Sequence, residues 1–374
     1  MKVSIIGQGY VGLTVGLYAS KVHEIVGYDL NEKLVSDLNS GNSHVEGLDS
    51  NMLKIALKNE KYKATSNPQD IDNSDVVIIA VPTPLDEKRK PDLSFIIKAC
   101  ETISDNLRND ALIINESTSY PGTVRNLIYP SISKKVPFLN HEYSVSPERV
   151  DPGNPVWNQT NTPRLVAGLM EEATNKATDF YSKFCSNVVP VSSPEVAEAA
   201  KLFENTFRQV NIAMVNELAQ ISHGLDIDVR EVLDAAATKP FGFMKFNPSL
   251  GVGGHCIPVD PSYLSFAIEE LGGSAEFIKL ANKVNLEMPK YVANRLTIEL
   301  GGDLKGKRIQ IAGISYKPGV SDLRESPALI LINELRKRGA EVIWHDPLVT
   351  EWSNEKSVAL DSRIDLGIIV TPHS

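Results

Sequence analysis

A lone cysteine on a glycine- and proline-rich segment is the clearest candidate for chemistry in this sequence. Residues 251–261 read GVGGHCIPVDP, which places Cys256 among three glycines and two prolines. Neither a helix nor a central strand tolerates that density of glycine and proline, so the segment predicts a stiff loop. A structural cysteine packed as a small hydrophobe needs no such loop, whereas a nucleophile needs room for a substrate. We therefore predict that Cys256 is a catalytic nucleophile.

Two neighbours bear on what the thiol can do. Asp260 lies four residues further on, where its carboxylate could organise a water molecule or act as a base beside the sulfur. His255 is adjacent in sequence, but consecutive side chains on an extended segment point in opposite directions. A simple dyad of Cys256 and His255 is therefore not expected.

A second candidate site lies at the N-terminus, where Gly7, Gly9 and Gly12 form the pattern G-x-G-x-x-G. The pattern follows a short apolar run and precedes a helical one, which is typical of a turn that holds a dinucleotide pyrophosphate at a helix N-terminus. Asp29 ends the next predicted strand and could accept hydrogen bonds from an adenosine ribose. Its charge would repel a 2′-phosphate, so the sequence predicts NAD rather than NADP.

Further strand and helix patterns must position these groups. Residues 75–84 and 111–123 are apolar runs that lead into loops, and the loops that follow parallel strands are where α/β proteins bind ligands. The hydroxyls of Thr83, Ser117 and Thr118 are thus candidate contacts to cofactor or water. Capping of the next helices is the alternative role for these three residues.

A long helical pattern begins near residue 193 and carries Lys201 and Asn205 four residues apart, hence on one face. A solvated surface is the alternative interpretation of that pair. From Lys305 a third region repeats the pattern of strand, glycine, helix, strand and acid without the full glycine triplet. This last region ends after one more strand, so we expect either a small domain or a truncated one.

These patterns predict an α/β protein with an N-terminal Rossmann-type parallel sheet, a helical central region with a long helix, and a smaller C-terminal nucleotide-binding-like α/β domain. The expected domains are residues 1–192 for NAD binding, 193–300 for the helical central region with the cysteine loop, and 301–374 for the C-terminal nucleotide-binding-like region.

Composition excludes several function classes. The 374 residues carry a formal net charge of −9, which argues against nucleic-acid binding. Three widely spaced cysteines fit a reducing cytoplasm better than a disulfide framework. The N-terminus lacks the apolar run of a signal peptide, and no stretch is long enough for a membrane span. The seven histidines show no metal-ligand spacing, so no metal is expected.

A dinucleotide site combined with a nucleophilic cysteine suggests a two-step oxidation. An alcohol becomes an aldehyde, the thiolate captures the aldehyde as a thiohemiacetal, a second hydride leaves, and water cleaves the resulting thioester. The C-terminal nucleotide-binding-like domain would hold a nucleotide attached to the substrate. Two alternatives would differ in the NADH formed per substrate. A dehydrogenase of the 6-phosphogluconate or hydroxyisobutyrate type would form one NADH, and a non-catalytic nucleotide-sugar sensor would form none.

Across nearly its whole length the chain resembles the nucleotide-sugar 6-dehydrogenases of the UDP-glucose/GDP-mannose dehydrogenase family. The resemblance is carried by GQGYVGL, VPTPLDEKRKPDLS, ESTSYPGT, SPERVDPGN, EAAKLFENTFRQVNIAMVNEL, KPFGFMKFNPSLGVGGHCIPVDPSYL and YKPGVSDLRESP. It implies NAD as cofactor and two NAD per turnover. It also implies a UDP-sugar as substrate, bound by residues 301–374, and a homodimer formed through the long helix, with residues 193–300 as the dimerisation domain.

The resemblance also implies individual roles. Cys256 would be the nucleophile, Lys201 and Asn205 would stabilise the oxyanion, and Thr118, Glu148 and Asp260 would handle the proton and the hydrolytic water. The implied cofactor contacts are Gly7, Gly9, Tyr10, Val11, Gly12, Asp29, Lys33, Thr83, Thr118 and Arg324. The implied substrate contacts are Glu148, Arg149, Lys201, Asn205, Phe241, Phe243, Gly253, Gly254 and Lys317.

Two positions depart from the UDP-glucose enzymes of this family. Val259 stands where those enzymes usually carry a lysine, and Pro152 stands where they tend to carry a second acid after the Pro-Glu pair. The segments SPERVDPGN, KPFGFM and GGHCIPVDPSYL together resemble the branch that acts on UDP-N-acetylglucosamine. A valine in place of a long cation is compatible with that substrate, because Val259 would free volume and remove a charge that an amide cannot satisfy if it points toward the sugar. UDP-N-acetylmannosamine and UDP-glucose are the alternative substrates.

Overall fold

The structure is a computed structural model that describes residues 1–45, 48, 50–150, 154, 156–254 and 256–373. Pro152 and His255, both considered above, lie outside the described residues. The chain divides into two compact units, Met1–Phe203 and Glu204–Ser374, and each is described by itself. The three predicted domain boundaries stay predictions.

The first unit is built on one eight-stranded sheet with the order β3-β2-β1-β4-β5-β6-β7-β8. Its strands are β1 (Lys2–Ile6), β2 (Glu24–Tyr28), β3 (Tyr62–Thr65), β4 (Val76–Ile79), β5 (Leu112–Asn115), β6 (Glu142–Val145), β7 (Arg164–Gly168) and β8 (Val188–Pro190). Neighbouring strands are parallel except for β6 and β7, which are antiparallel. The strand order reverses between β1 and β4, and ligands of doubly wound sheets bind at such a point.

Helices cover both faces of this sheet, which explains why its central strands are continuous apolar runs. Ile78 of β4 packs into one buried cluster, while its neighbours Val77 and Ile79 pack into a second cluster on the opposite face. The helices of the first unit are α1 (Tyr10–Ala19), α2 (Glu32–Asn39), α3 (Ser50–Lys58), α4 (Ser94–Asn106), α5 (Tyr129–Ser133), α6 (Glu171–Ser182) and the beginning of α7 (Pro194–Gly224). The first unit also contains a 3₁₀ turn at Pro68–Ile71 and a π-helical turn at Val124–Ile128.

The second unit contains the rest of α7 and a small parallel sheet with the order β10-β9-β13. Its remaining elements are α8 (Val229–Ala237), α9 (Asp260–Glu269), α10 (Glu276–Glu299), β9 (Arg308–Ala312), α11 (Pro327–Lys337), β10 (Glu341–His345), the short hairpin strands β11 (Glu351–Trp352) and β12 (Glu355–Lys356), and β13 (Leu366–Ile369). Its core includes Ile309 and Ile311 of β9, Leu331 of α11 and the fully buried Trp344 of β10.

The predicted fold class is confirmed: a large and mostly parallel N-terminal sheet, a helical central region with a long helix, and a smaller C-terminal α/β region. The reversal of β7 and β8 relative to the other strands was not predicted, because alternating strands and helices indicate a parallel sheet but not the direction of its edge strands. In the described part of the chain, no helix has both the length and the apolar character required to cross a membrane.

Candidate active site

The glycine turn between β1 and α1 has the shape that a dinucleotide requires. A Cβ atom on Gly12 would lie 1.9 Å from the carbonyl oxygen of Gly7, so only glycine lets the helix approach the turn this closely. A Cβ on Gly9 would meet no atom within 4 Å, which leaves open space at the N-terminus of α1. A helix N-terminus with open space beside its backbone amides fits a pyrophosphate group.

Two backbone amides hold the carboxylate of Asp29 at the end of β2. Its Oδ2 accepts a hydrogen bond from the Gln8 amide at 2.8 Å, and its Oδ1 accepts one from the Asn31 amide at 2.9 Å. Each carboxylate oxygen can accept a second bond, so the half-buried Asp29 fits the hydroxyls of an NAD ribose. The sequence did not indicate Gln8 itself, whose buried amide oxygen accepts from the Tyr62 hydroxyl at 2.6 Å.

The other predicted cofactor contacts of the first unit lie on nearby elements. Tyr10 and Val11 are half-buried in the first turn of α1, and the half-buried Thr83 lies in the loop after β4. Lys33 is exposed on α2, where its ammonium pairs with Asp37 at 2.7 Å. The hydroxyl of Ser117 accepts from the Val81 amide at 2.9 Å, so this side chain joins the loops that follow β4 and β5.

Lys201 and Thr118, predicted from separate motifs, are in contact. The Lys201 ammonium donates to the Thr118 hydroxyl at 2.5 Å, and Lys201 is only 8% exposed. A buried cation beside a hydroxyl can stabilise an oxygen that gains negative charge. This pair therefore has the chemistry that the predicted oxyanion role requires.

Glu198, which was not predicted, anchors the loop after β5 to the first turns of α7. Its carboxylate accepts from the amides of Gly122 and Val124 at 2.7 and 3.2 Å and from the Ser119 hydroxyl at 3.1 Å. Burial raises the pKa of Glu198 to about 7, although these three donors favour the charged form. The sequence contained one indication of Glu198, because it lies three residues before Lys201 on the same predicted helix.

Glu148 follows β6 and is held by three donors. One oxygen accepts from the amides of Arg149 and Val150, both at 2.7 Å, and the other pairs with the Arg164 guanidinium at 2.9 Å. Burial alone would raise the pKa of Glu148, but Arg164 and the two amides outweigh burial and lower it. Glu148 is therefore kept ionised, as a base requires. The guanidinium of Arg149 donates to the Pro163 carbonyl at 2.9 Å.

A second carboxylate, not predicted from the sequence, shares the same cation. Glu116 lies directly after β5, is completely buried, and pairs with Arg164 at 3.1 Å. The Tyr181 hydroxyl donates to the same Glu116 oxygen, and the Arg164 guanidinium lies 4.5 Å from the centre of the Tyr181 ring. Burial raises the pKa of Glu116 to about 7 despite its contact with Arg164.

In the second unit, Cys256 is exposed just before α9. The backbone amide of Asp260 donates to the Cys256 carbonyl at 2.8 Å. A Cβ on Gly253 would lie 2.7 Å from the Tyr316 Cβ, and one on Gly254 would lie 2.8 Å from the Tyr316 ring. These two glycines therefore let the cysteine loop pack closely against the segment around Tyr316. This packing is a second reason for glycine at these positions, besides the predicted approach of substrate.

Asp260 and Asn205, again predicted from separate motifs, are joined. The Asn205 amide donates to Asp260 Oδ2 at 2.6 Å, and Asp260 is 1% exposed. Arg324 pairs with Asp322, and this hydrogen bond raises the pKa of Arg324, with a smaller contribution from the negative form of Cys256.

The remaining predicted substrate contacts lie on two segments of the second unit. The Lys317 ammonium lies 5.9 Å from the centre of the Tyr316 ring. Phe241 and Phe243 follow α8 and are exposed by 70% and 39%. Among the residues that the structure describes, there is no group of three or more histidine, cysteine, aspartate or glutamate side chains that could hold a metal ion.

Three family models match the chain in sequence order. The NAD binding domain of the UDP-glucose/GDP-mannose dehydrogenase family matches residues 1–185, its central domain matches 195–294, and its UDP binding domain matches 310–374. Together the three matches span most of the chain.

Individual relatives are similar over nearly the whole chain. A UDP-N-acetyl-D-glucosamine 6-dehydrogenase from Pseudomonas aeruginosa is 34% identical, covering 94% of this chain and 83% of that relative. A UDP-N-acetyl-D-mannosamine dehydrogenase from Pyrococcus horikoshii is 35% identical, covering 100% and 90%. The solved structure of a UDP-D-ManNAc dehydrogenase from Pyrococcus horikoshii superposes with a TM-score of 0.92 at 32% identity, covering 100% of this chain and 90% of that one.

The fold, the dinucleotide turn and these matches agree with each other over the length of the chain. The chain belongs to the UDP-glucose/GDP-mannose dehydrogenase family and is an NAD-dependent UDP-sugar dehydrogenase.

Proposed function

We propose that this protein oxidises the C6 hydroxymethyl group of a UDP-N-acetylhexosamine to a carboxylate, with UDP-N-acetylglucosamine as the preferred substrate. The observation that carries the proposal is the exposed Cys256, which lies in a tightly packed glycine loop four residues before the buried Asp260, the acceptor of the Asn205 amide. A nucleophilic thiol is what separates a four-electron oxidation from a simple alcohol oxidation.

The first oxidation requires a base for the C6 hydroxyl proton and stabilisation of the oxygen as charge develops. When bound, NAD accepts one hydride in each of the two oxidations. The Lys201 ammonium, buried and bonded to Thr118, supplies a positive charge for the oxygen. Asn205 supplies an amide donor for the same purpose. Thr118 passes the hydroxyl proton to water or to a neighbouring base.

The second oxidation depends on Cys256. The thiolate adds to the C6 aldehyde to form a carbon–sulfur bond, and loss of the remaining C6 hydrogen as hydride converts the thiohemiacetal into a thioester. Water then attacks the thioester carbon, the carbon–sulfur bond breaks, and the thiol and the carboxylate are released. Glu148 and Asp260 hold or deprotonate that water. The lowered pKa of Glu148 keeps its carboxylate ionised and so able to accept a hydrogen bond from the water.

The choice of an N-acetylated sugar rests on relatives and on the cysteine loop. The relatives named above act, by their names, on UDP-N-acetylglucosamine and UDP-N-acetylmannosamine. Val259, at the position where UDP-glucose enzymes usually carry a lysine, is 9% exposed and adds no charge to the loop. UDP-N-acetylmannosamine is the second candidate substrate, and UDP-glucose is the third.

Steady-state kinetics with these three sugars tests the substrate. We expect kcat/KM for UDP-N-acetylglucosamine to exceed that for UDP-glucose by at least about tenfold, which corresponds to ~1.4 kcal/mol of discrimination. A preference for UDP-glucose would overturn the assignment. NADH formed per sugar tests the reaction class, because two indicate the proposed oxidation, one indicates a simple dehydrogenase, and none indicates a binding protein.

Substitution of the cysteine tests the covalent step. Cys256→Ala should lose the second oxidation. Cys256→Ser should leave a covalent ester that mass spectrometry detects, because a serine ester is hydrolysed less readily than a thioester. Cys100→Ala is the matched control, since Cys100 is buried in α4 of the first unit. If Cys256→Ala still yields two NADH per sugar at a rate close to the unmodified enzyme, Cys256 is structural.

Substitution of Lys201 tests the oxyanion role. Lys201→Ala should lower kcat by roughly two to three orders of magnitude, the scale for loss of one such donor. The melting temperature measured alongside should stay near that of the unmodified enzyme. Unfolding without a specific loss of turnover would make Lys201 a structural residue.

We also propose a homodimer formed through α7, located in the cytoplasm. Phe207, Met214 and Ile221 are spaced seven residues apart on this helix and are exposed by 42%, 56% and 52%, which supports an apolar contact surface. Cys100, Cys185 and Cys256 form no disulfide in the described part of the chain, which supports a reducing compartment. Light scattering should give twice the chain mass, and Met214→Glu should reduce it to the chain mass.

A further inference from the structure

The cluster of Glu116, Arg164 and Tyr181 lies behind Glu148, and no role has been assigned to it. Arg164 is the first residue of β7, Glu116 follows β5 and Tyr181 belongs to α6. The side chains of Arg164 and Glu116 are 5% and 0% exposed. A buried guanidinium with two buried carboxylates is costly unless its geometry is satisfied, so its presence beside a candidate catalytic base calls for an explanation.

The contacts form a chain that ends at Glu148. The Tyr181 hydroxyl donates to Glu116, Glu116 accepts from one Arg164 nitrogen at 3.1 Å, and a second Arg164 nitrogen reaches Glu148 at 2.9 Å. The first Arg164 nitrogen also donates to the Ser146 hydroxyl at 3.0 Å. The planar guanidinium therefore has fixed partners on the side away from Glu148, which restricts the direction in which it can point.

We propose that Arg164, held from behind by Glu116 and Tyr181, is a positioning residue that keeps the Glu148 carboxylate ionised and oriented for hydrolysis of the thioester. The inference rests on the proposed role of Glu148 and deepens it. Glu116 does not act on the substrate, because its side chain is completely buried. Its function is to anchor the cation.

The charged groups around Glu148 make this arrangement testable by pH. Arg164 favours the carboxylate form of Glu148, whereas Glu116, when ionised, opposes it. Tyr181 and Cys185 also face Arg164, and burial raises the pKa of both, so both stay neutral near pH 7. Loss of Arg164 should therefore raise the pKa of Glu148.

The main test compares Arg164→Met with Arg164→Lys in the full-length enzyme. Arg164→Met should lower kcat about a hundredfold with the sugar KM changed less than threefold, and should move the acidic limb of the kcat profile to higher pH. A rapid burst of two NADH per site, followed by slow turnover and an acyl group on Cys256 in the intact mass, should show that hydrolysis has become limiting. Arg164→Lys should recover part of the activity, since it restores the charge.

A second pair of variants addresses the anchor and covers the case in which Arg164→Met fails to fold. Glu116→Gln keeps an oxygen that can accept from Arg164 and Tyr181, whereas Glu116→Leu removes it. Glu116→Leu should show the same burst and a lower kcat than Glu116→Gln. Glu142→Gln is the matched control on β6, because Glu142 pairs with the half-exposed Lys176, and its kinetics should match the unmodified enzyme.

The outcomes separate the two proposals. If the unmodified enzyme forms two NADH per sugar and folded Arg164→Met or Glu116→Leu keeps its rate and pH profile, the positioning role is wrong and the proposed function stands. Equal kinetics of Glu116→Leu and Glu116→Gln would also overturn the anchoring role. If the unmodified enzyme does not form two NADH per sugar, the proposed function itself fails.

Discussion

The N-terminal and C-terminal glycine turns begin in the same way. Gly7 follows β1 and Gly313 follows β9, with φ of +93° and +80°. Each donates its amide at 2.8 Å to the last residue of the neighbouring parallel strand, Tyr28 or His345. In each turn a Cβ would collide with a carbonyl oxygen, at 2.4 Å for Gly7 and 2.0 Å for Gly313. The first glycine is thus a requirement of the chain reversal in both regions.

The two turns differ in the acid that follows the second strand. Asp29 accepts two backbone amides and is half-buried. Asp346, at the same place after β10, is 3% exposed and accepts four, from residues 314, 315, 348 and 349, with His373 also at 3.2 Å. An acid in this position is therefore not enough to predict a ribose contact, because a carboxylate saturated by its own backbone stabilises the turn instead.

The largest effect expected from this comparison is on stability. Asp346→Asn leaves one oxygen to accept where two accepted before, so two backbone amides lose their acceptor. Each buried polar group left without a partner costs about 1–3 kcal/mol. We therefore expect the free energy of unfolding to fall by about 3 kcal/mol. Denaturant unfolding measures it, with the exposed Asp303→Asn as control. A loss below about 1 kcal/mol would contradict the structural role.

The corresponding change at the other turn should affect the cofactor more than stability, because water can replace Asp29 as the acceptor of the exposed Asn31 amide. Asp29→Ala removes the ribose acceptor and the charge that repels a 2′-phosphate, so the KM for NAD should rise about tenfold, or ~1.4 kcal/mol, and NADP should be used more readily. Asp29→Asn keeps an acceptor but removes the charge, which separates the two causes. Equal turnover of NAD and NADP by the unmodified enzyme would contradict the assignment of Asp29 as the ribose contact.

The open glycine of the N-terminal turn sharpens the contrast further. Gly9→Ala places a methyl group where no protein atom lies within 4 Å, so the melting temperature should stay within about 1 °C. NAD affinity, measured by calorimetry, should fall several-fold because the methyl group occupies the approach to the pyrophosphate. Gly224→Ala, an equally open glycine at the end of α7, serves as control. Unchanged NAD affinity would count against the phosphate site.

The smallest effect is the acid dependence of the C-terminal turn. Burial tends to raise the pKa of Asp346, but its backbone donors outweigh burial and lower it. Its stabilising contribution is therefore present above the ordinary pKa of an aspartate and is lost as pH falls through the lowered value. One proton sets a limit of about 1.4 kcal/mol per pH unit. Unfolding free energies measured below pH 4 should fall less steeply for Asp346→Asn than for the unmodified chain.

Short-range patterns were enough to predict both glycine turns, the long helix and seven of the strands, namely β1, β2, β4, β5, β9, β10 and β13. Each of these features is encoded within one window of the chain, by an apolar run followed by glycine or by helical spacing. The prediction of NAD used only the turn and Asp29, and the family models support it. The catalytic and binding roles of single residues stay predictions.

Contacts between distant segments could not be predicted. Glu116, Arg164 and Tyr181 come from three separate elements, and nothing near each residue in the sequence indicates that its side chain is buried against the others. Asp29 and Asp346 look alike in sequence, since both follow an apolar strand. Burial and the number of amides that each carboxylate accepts distinguish the two acids, and both depend on loop geometry beyond the motif.

The two carboxyl groups whose pKa is raised to about 7 have a calorimetric consequence. At pH 6 the Glu116 and Glu198 side chains are mostly ionised in the unfolded chain but mostly protonated in the folded one. Their stabilising contribution is complete below the ordinary pKa of a glutamate, near 4.5, and is lost as pH rises through about 7. Folding at pH 6 must therefore take up protons from the buffer, and the heat of refolding will depend on the ionisation enthalpy of the buffer chosen.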